Sequence, residues 1–132
     1  MTSLPPLIPF ISPVFPAPEA IATDFANIID ANWYTNFGPF ERRFRERIEK
    51  WVGAGAHAAT FTNATVALMS AAVDVFGKGD GRQIVLMPSF TFAAGAEAVE
   101  WAGHRVGFID IDEVSLQPSL AGAREALERY GT

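Results

Sequence analysis

Ala58-Ala59-Thr60-Phe61-Thr62-Asn63-Ala64-Thr65-Val66-Ala67-Leu68 decides how the chain is read. Ala58 to Phe61 has the composition of a short strand, and Thr62-Asn63 that of a polar turn. A helix is then predicted from Ala64 toward Phe76, with Leu68, Ala72 and Val75 on one face. A helix that opens directly after a strand points several free backbone N–H groups at whatever lies above the sheet edge. Together with the helix dipole they form a ready anion site, most often for phosphate. Small side chains there let an anion approach the backbone. The same residues also make an ordinary Asn or Thr cap with no ligand. Both readings stand at this point.

On the N-terminal side, Met1 to Pro18 holds six of the nine prolines and carries no basic residue ahead of its apolar part. Such a segment is extended, not a signal peptide. Residues 1–17 are therefore expected to form an apolar arm lying across another surface. Pro18-Glu19 opens a helix, since proline is favourable at the first helical position. Ile21, Phe25, Ile28 and Ile29 recur on one face of it. Asn32 to Gly38 is a loop rich in rings and amides, either packed by its own aromatics or contacting a substrate. Pro39 opens a second helix with Phe40, Phe44, Ile48 and Trp51 on its expected buried face. Its other face interleaves arginines with glutamates. That pattern marks a solvated surface held by i,i+4 pairs such as Glu41–Arg45, not a phosphate patch.

On the C-terminal side, Gly77 to Gly81 is a glycine-rich turn, and Gln83 to Met87 a buried strand stopped by Pro88. A helix follows from Ser89 through Trp101, then a strand from Arg105 to Ile109, then the acidic stretch Asp110-Ile111-Asp112-Glu113. A last helix starts at Pro118 with Leu120, Ala123, Leu127 and Tyr130 inward, and Gly131 caps it. Strands alternating with helices predict an α/β fold with a mainly parallel sheet in three layers.

Composition narrows the function. The chain has 132 residues, of which 49 % are hydrophobic, so a packed core is expected. A net charge of −5 offers no nucleic-acid surface. Without cysteine, disulfides and thiolate metal sites are excluded. Two histidines, His57 and His104, do not make a histidine-rich metal site, and each is expected to be packed or solvated. No apolar run is long enough to span a bilayer, and a cytoplasmic protein is the simplest expectation.

In parallel α/β sheets, ligands collect beyond the C-terminal strand ends. Three segments are expected to converge there: Asn63-Ala64-Thr65, Pro88-Ser89-Phe90-Thr91-Phe92 and Asp110-Ile111-Asp112. They offer a phosphate cradle, an aromatic ring and carboxylates, which suit a flat phosphorylated heteroaromatic such as pyridoxal 5'-phosphate (PLP) or a nucleotide. Asp110 and Asp112 could serve as a metal or cofactor pair, but their setting favours turn capping.

The sequence resembles the N-terminal part of the DegT/DnrJ/EryC1/StrS aminotransferases, sugar aminotransferases of fold type I. The matching pieces are Pro9-Phe10, Trp33-Tyr34-Thr35 with Gly38-Pro39 and Phe40-Glu41, Asn63-Ala64-Thr65 with Ala67-Leu68, Met87 to Phe92, and Phe108 to Asp112. They occur in family order across essentially the whole chain. The resemblance implies residues 18–132 as an N-terminal portion of the PLP-binding large domain. It implies PLP as cofactor, held by Asn63, Ala64 and Thr65 at the phosphate and by Phe92 stacked on the ring. Tyr34, Asn36 and Gly38 would lie near a nucleotide-linked keto-sugar, with an amino acid such as glutamate as amino donor and a homodimer as the working assembly. The family normally has glycine where Ala64 stands. Alanine keeps the N–H and suits a helical φ.

The lysine and aspartate that such an enzyme needs for the Schiff base and the pyridine nitrogen are not matched here. The two lysines, Lys50 and Lys78, fall on a solvated helix face and in a glycine-rich turn. The chain is therefore expected to be an N-terminal portion of a larger enzyme, inactive and not a stable monomer by itself. The rivals are a PLP-dependent sugar dehydratase of the same fold and a non-catalytic ligand-binding or dimerisation module.

Overall fold

The structure, a computed structural model, describes residues 8, 9 and 11–131. The remaining residues of the expected arm, 1–7 and Phe10, lie outside them. Ile8, Pro9 and residues 11–17 adopt neither helix nor strand and are exposed. The chain divides into two compact units, one up to Ala59 and one from Thr60.

The first unit holds two helices, α1 (Pro18–Ala31) and α2 (Pro39–Val52). Each starts on a proline, whose missing N–H costs nothing in the first turn. Helix α1 ends at Asn32, left-handed at φ 49°, whose N–H donates to the Ile29 carbonyl at 2.9 Å. Helix α2 ends at Gly53, φ 73°, whose N–H reaches the Glu49 carbonyl at 2.8 Å. Between them the Trp33 indole N–H donates to the Asn36 carbonyl at 3.1 Å, and the Arg42 guanidinium lies 5.1 Å from the centre of the Trp33 ring. The expected Glu41–Arg45 pair forms at 3.5 Å. The expected buried face of α2 does not: Phe40 and Ile48 are half-buried, whereas Phe44 and Trp51 are exposed. A pair of helices can cover only the inner edge of each apolar stripe, and neither helix has a fully buried residue.

The second unit contains α3 (Ala64–Phe76), β1 (Ile84–Pro88), α4 (Ala94–Trp101), β2 (Arg105–Ile109) and α5 (Leu120–Tyr130). Strands β1 and β2 pair in parallel, with Ile84 opposite Arg105 and Pro88 opposite Ile109. Pro88 is the last residue of β1, where its missing N–H breaks no ladder bond. Ser89 resumes the bonding, donating to Ile109 at 2.9 Å.

Ala58 to Phe61 forms no strand, contrary to the sequence expectation. A strand exists only with a ladder partner, and the sheet of the described residues consists of β1 and β2 without this segment. Instead the Ala58 N–H donates to the Glu49 carboxylate at 2.9 Å. The two predicted helix starts also move: α4 opens at Ala94 rather than Ser89, and α5 at Leu120 behind a Ser119 cap rather than at Pro118.

The core of this unit is made of small residues. Ala72 of α3 and Ala94, Ala98 and Val99 of α4 are buried where the two helices pack. Leu68 and Val75, expected to share the Ala72 face, remain exposed, as do Leu120, Leu127 and Tyr130 on α5, where Ala126 is the buried residue. Two glycines allow backbone to meet backbone in the segments that lead into β1 and β2. A Cβ on Gly79 would fall 2.2 Å from the Gly103 carbonyl oxygen, and one on Gly103 would fall 2.5 Å from the Gly79 carbonyl oxygen. The close approach lets Gly79 donate to Ala102 at 2.8 Å and Gly81 to Gly103 at 2.9 Å. His104 closes this clasp. The residue is 4 % exposed, its Nε2 lies 3.1 Å from the Gly77 carbonyl, and Phe76 meets its ring edge-on at 6.0 Å. An N–H at Nε2 donates to that carbonyl. No helix among the described residues is long and apolar enough to cross a membrane.

Candidate functional site

The Asn63-Ala64-Thr65 stretch forms the predicted helix opening. Asn63 is extended at φ −161° and ψ 171°, and its Oδ1 accepts from the Val66 N–H at 3.0 Å. The Asn63 carbonyl accepts from the Ala67 N–H at 3.2 Å. Of the four N–H groups that open α3, those of Ala64 and Thr65 have no partner among the described residues. Both point out of a helix of 13 residues that carries no acidic side chain in its first turn. The local field there is that of an uncompensated positive helix end. The Thr65 hydroxyl adds a third donor beside the two amides.

Helix α4 packs against α3 and is preceded by the loop that follows β1. Phe92 sits in that loop, 82 % exposed, with Phe90 also open to solvent. Loop formation explains why the helix starts late: the Gly95 N–H bonds to the Phe92 carbonyl, a turn that leaves the ring free. The second unit therefore carries both the helix opening, at the start of α3, and the ring, in the loop leading into α4, which packs on α3.

The strands are parallel and in register, so the segments after β1 and β2 leave from the same sheet edge. Ser89 and Asp110 line one cavity of about 270 Å³ there, with Glu125 and Arg129 of α5. The Asp110 carboxylate is spent on the Ile111 N–H at 2.9 Å. Asp112 accepts from Ser115 N–H at 2.7 Å and Val114 N–H at 3.2 Å, which makes it a turn cap. Hydrogen bonds from the Ser115 backbone and hydroxyl, and then from Val114, hold the Asp112 carboxyl below the usual carboxylate range. Among the described residues, no group of three His, Asp or Glu side chains is placed to hold a metal.

Tyr34, Asn36 and Gly38 lie in the first unit. Gly38 is buried, and a Cβ there would sit 3.4 Å from the Thr35 carbonyl oxygen. The Tyr34 hydroxyl donates to the Ile29 carbonyl at 3.4 Å while its ring is largely exposed. The loop borders a pocket of about 180 Å³ lined by Trp33, Tyr34, Thr35 and Gly38. Lys50 and Lys78 are both exposed, one at the end of α2 and one in the turn after α3.

Two features were not legible in the sequence. The Trp33–Arg42 stack links residues nine apart across a loop, outside any helical spacing. The His104 clasp joins residues 27 apart, and only the glycines at 77, 79 and 103 hinted at a close backbone approach.

The architecture is one that solved aminotransferases share. A Bacillus cereus structure assigned as a PLP-dependent aminotransferase superposes with a TM-score of 0.75 at 30 % identity, over 92 % of this chain and 33 % of that one. The fold is thus a portion of the fold type I PLP-dependent transferase large domain, α/β with a parallel sheet. Residues 17–131 match the family model of the DegT/DnrJ/EryC1/StrS aminotransferase family, and the chain belongs to that family. Protein MT3510 of Mycobacterium tuberculosis is 49 % identical over 125 residues, 95 % of this chain and 30 % of that protein. A dTDP-4-dehydro-2,3,6-trideoxy-D-glucose 4-aminotransferase of Saccharopolyspora spinosa is 33 % identical over 109 residues, 83 % of this chain and 27 % of that enzyme. The chain spans about a third or less of each protein it matches.

Proposed function

We propose that this chain is the N-terminal portion, residues 18–132, of the PLP-binding large domain of a sugar aminotransferase. The whole enzyme would move an amino group from an amino acid such as glutamate to a nucleotide-linked keto-sugar, as a homodimer in the cytoplasm. The observation that carries this is the pair of open amides at Ala64 and Thr65, set in a chain of an aminotransferase family. The donor set fits the cofactor: two amides and a hydroxyl at a positive helix end suit a phosphate dianion. The exposed Phe92 ring in the neighbouring loop suits a flat pyridine.

In this reading the amides of Ala64 and Thr65 and the Thr65 hydroxyl bind the phosphate. Asn63 belongs to the same seat. Phe92 orients the ring by stacking and keeps water from one of its faces. Tyr34, Asn36 and Gly38 position the sugar. The cofactor, when bound, supplies the electron sink on which amino-group transfer depends. Lys50 and Lys78 take no part, and the group that anchors the cofactor covalently comes from elsewhere in the enzyme.

The test is PLP affinity in Thr65→Ala and Phe92→Ala. Loss of a charge-assisted phosphate bond is worth about 1.5–3 kcal/mol, so Thr65→Ala should bind PLP on the order of tenfold or more weakly. Phe92→Ala should weaken it in the same direction. Unchanged affinity in both variants would rule out the site.

A further inference from the structure

We infer that Asp80–Gly81 is a site of spontaneous isoaspartate formation, gated by the glycine clasp, and that conversion there unlocks the clasp permanently. Neither a cofactor nor a partner takes part in it.

The chain contains one Asp-Gly dipeptide, Asp80-Gly81, and no Asn-Gly. Such a pair is chemically labile, because a glycine nitrogen has no neighbouring Cβ to keep it from the aspartate side chain. The nitrogen attacks Cγ of the protonated carboxyl. An N–Cγ bond forms, and the amide proton leaves with the carboxyl hydroxyl as water, which closes a succinimide ring. Water then adds to one of the two ring carbonyls and reopens it. Opening at the former main-chain carbonyl leaves the chain running through Cγ, with that carbonyl as the free carboxylate. No atom is gained or lost overall, and nothing is oxidised or reduced.

In the folded chain both reacting groups are engaged. The Gly81 N–H donates to the Gly103 carbonyl at 2.9 Å, one rung of the clasp, beside the Gly79-to-Ala102 rung at 2.8 Å. Asp80 Oδ1 accepts from the Arg82 N–H at 3.1 Å, and its Oδ2 lies 3.4 Å from Arg82 Nε. The Asp80 side chain is 63 % exposed, so hydrogen bonds and not burial restrain it. Ring closure requires the Gly81 nitrogen to leave Gly103 and the carboxyl to leave the Arg82 N–H. The reaction therefore needs the clasp open.

The product also keeps it open. Asp80 alone separates the two clasp donors, Gly79 and Gly81, and their acceptors are the adjacent residues Ala102 and Gly103. Isoaspartate lengthens the path between the donors by one carbon. The backbones meet so closely that a Cβ on Gly79 or Gly103 would collide with the other strand of the clasp. There is no slack to take up the extra carbon, and the two rungs cannot form together.

The experiment follows the full chain at neutral pH by peptide mapping. Isoaspartate is read as a peptide of unchanged mass that elutes apart and resists Asp-N protease. The parent should convert on the order of tenfold or more slowly than the same chain in urea, since chemistry on a transiently opened segment follows its open population. Gly103→Ala breaks the clasp from the far side, without altering the neighbours of Asp80, and should approach the rate in urea. Ala98→Leu loosens the packing of α3 on α4 and leaves the clasp, so it should convert at the parent's rate. In every variant the conversion rate should follow the hydrogen-exchange rate of the Gly81 amide. In the purified converted chain, the Gly79 and Gly81 amides should both exchange fast. A parent that converts as fast as in urea, or conversion that does not follow Gly81 exchange, would overturn the gating. Equal acceleration in Gly103→Ala and Ala98→Leu would do the same. Slow exchange of both amides in the converted chain would overturn the unlocking.

Discussion

The two units use opposite means to hold their helices. In the first, α1 and α2 are specified almost entirely by local signals: a proline at each start, a left-handed cap or glycine at each end, and an i,i+4 ion pair on the surface. Neither helix has a buried residue, and Trp51 is 84 % exposed. In the second, α3 and α4 pack through alanines, Ala98 being 2 % exposed, and glycines lock together the segments that lead into β1 and β2. Local signals can place a helix in a sequence, but only packing makes a residue costly to change. Substitutions of comparable size should therefore have very different effects in the two units.

The largest effect is expected at the clasp. Gly79→Ala puts a methyl 2.2 Å from a backbone oxygen that cannot rotate away, so the turn after α3 must move and its bonds to Ala102 and Gly103 must break. Overpacking against rigid backbone lies at the upper end of its usual range, about 3 kcal/mol or more. Denaturant melting checks it, and a shift no larger than that of a surface substitution would mean the clasp is not rigid.

Next comes the helix pair. Ala98→Leu adds bulk where α3 and α4 meet and should cost about 1–3 kcal/mol. Trp51→Ala removes a far larger side chain from the first unit and should change stability by no more than about 0.5 kcal/mol. Equal losses in the two variants would erase the distinction between the units.

The smallest effect is local and depends on pH. The Asp112 carboxyl is held below its ordinary value by the Ser115 and Val114 hydrogen bonds. A depressed carboxyl contributes stability above its unfolded value and loses that contribution as pH falls through the folded one. The turn from Asp112 to Gln117 should thus loosen only below about pH 4, the ordinary range for aspartate. Amide shifts of Val114 and Ser115 followed by NMR should show that transition, and Asp112→Asn should abolish it.

The same contrast explains how much of the fold was legible in the sequence. Helices with terminal signals were placed well: Pro18, Pro39 and Asn63 mark starts that the structure keeps, and Gly131 caps α5 as expected. The parallel pair at β1 and β2 was also legible, from its apolar runs between turn residues. Ala58 to Phe61 was not, because a strand is a property of two segments and its composition describes one. The buried faces of α2, α3 and α5 were misjudged for a related reason. Periodicity shows which residues share a face, but not whether another element covers it. At the candidate site, the cap and the free amides were readable from Asn63-Ala64-Thr65, whereas the division of labour between them needed the hydrogen bonds.

The central proposal to be tested is that the second unit binds PLP through the opening of α3 and Phe92. The most direct measurement is calorimetric titration of the chain with PLP and with pyridoxal under the same conditions. Two amides and a hydroxyl at a helix end should favour PLP by on the order of tenfold or more. That preference should shrink in Thr65→Ala, where the affinity for pyridoxal should stay level. Equal affinity for the two compounds in the parent chain would contradict the claim.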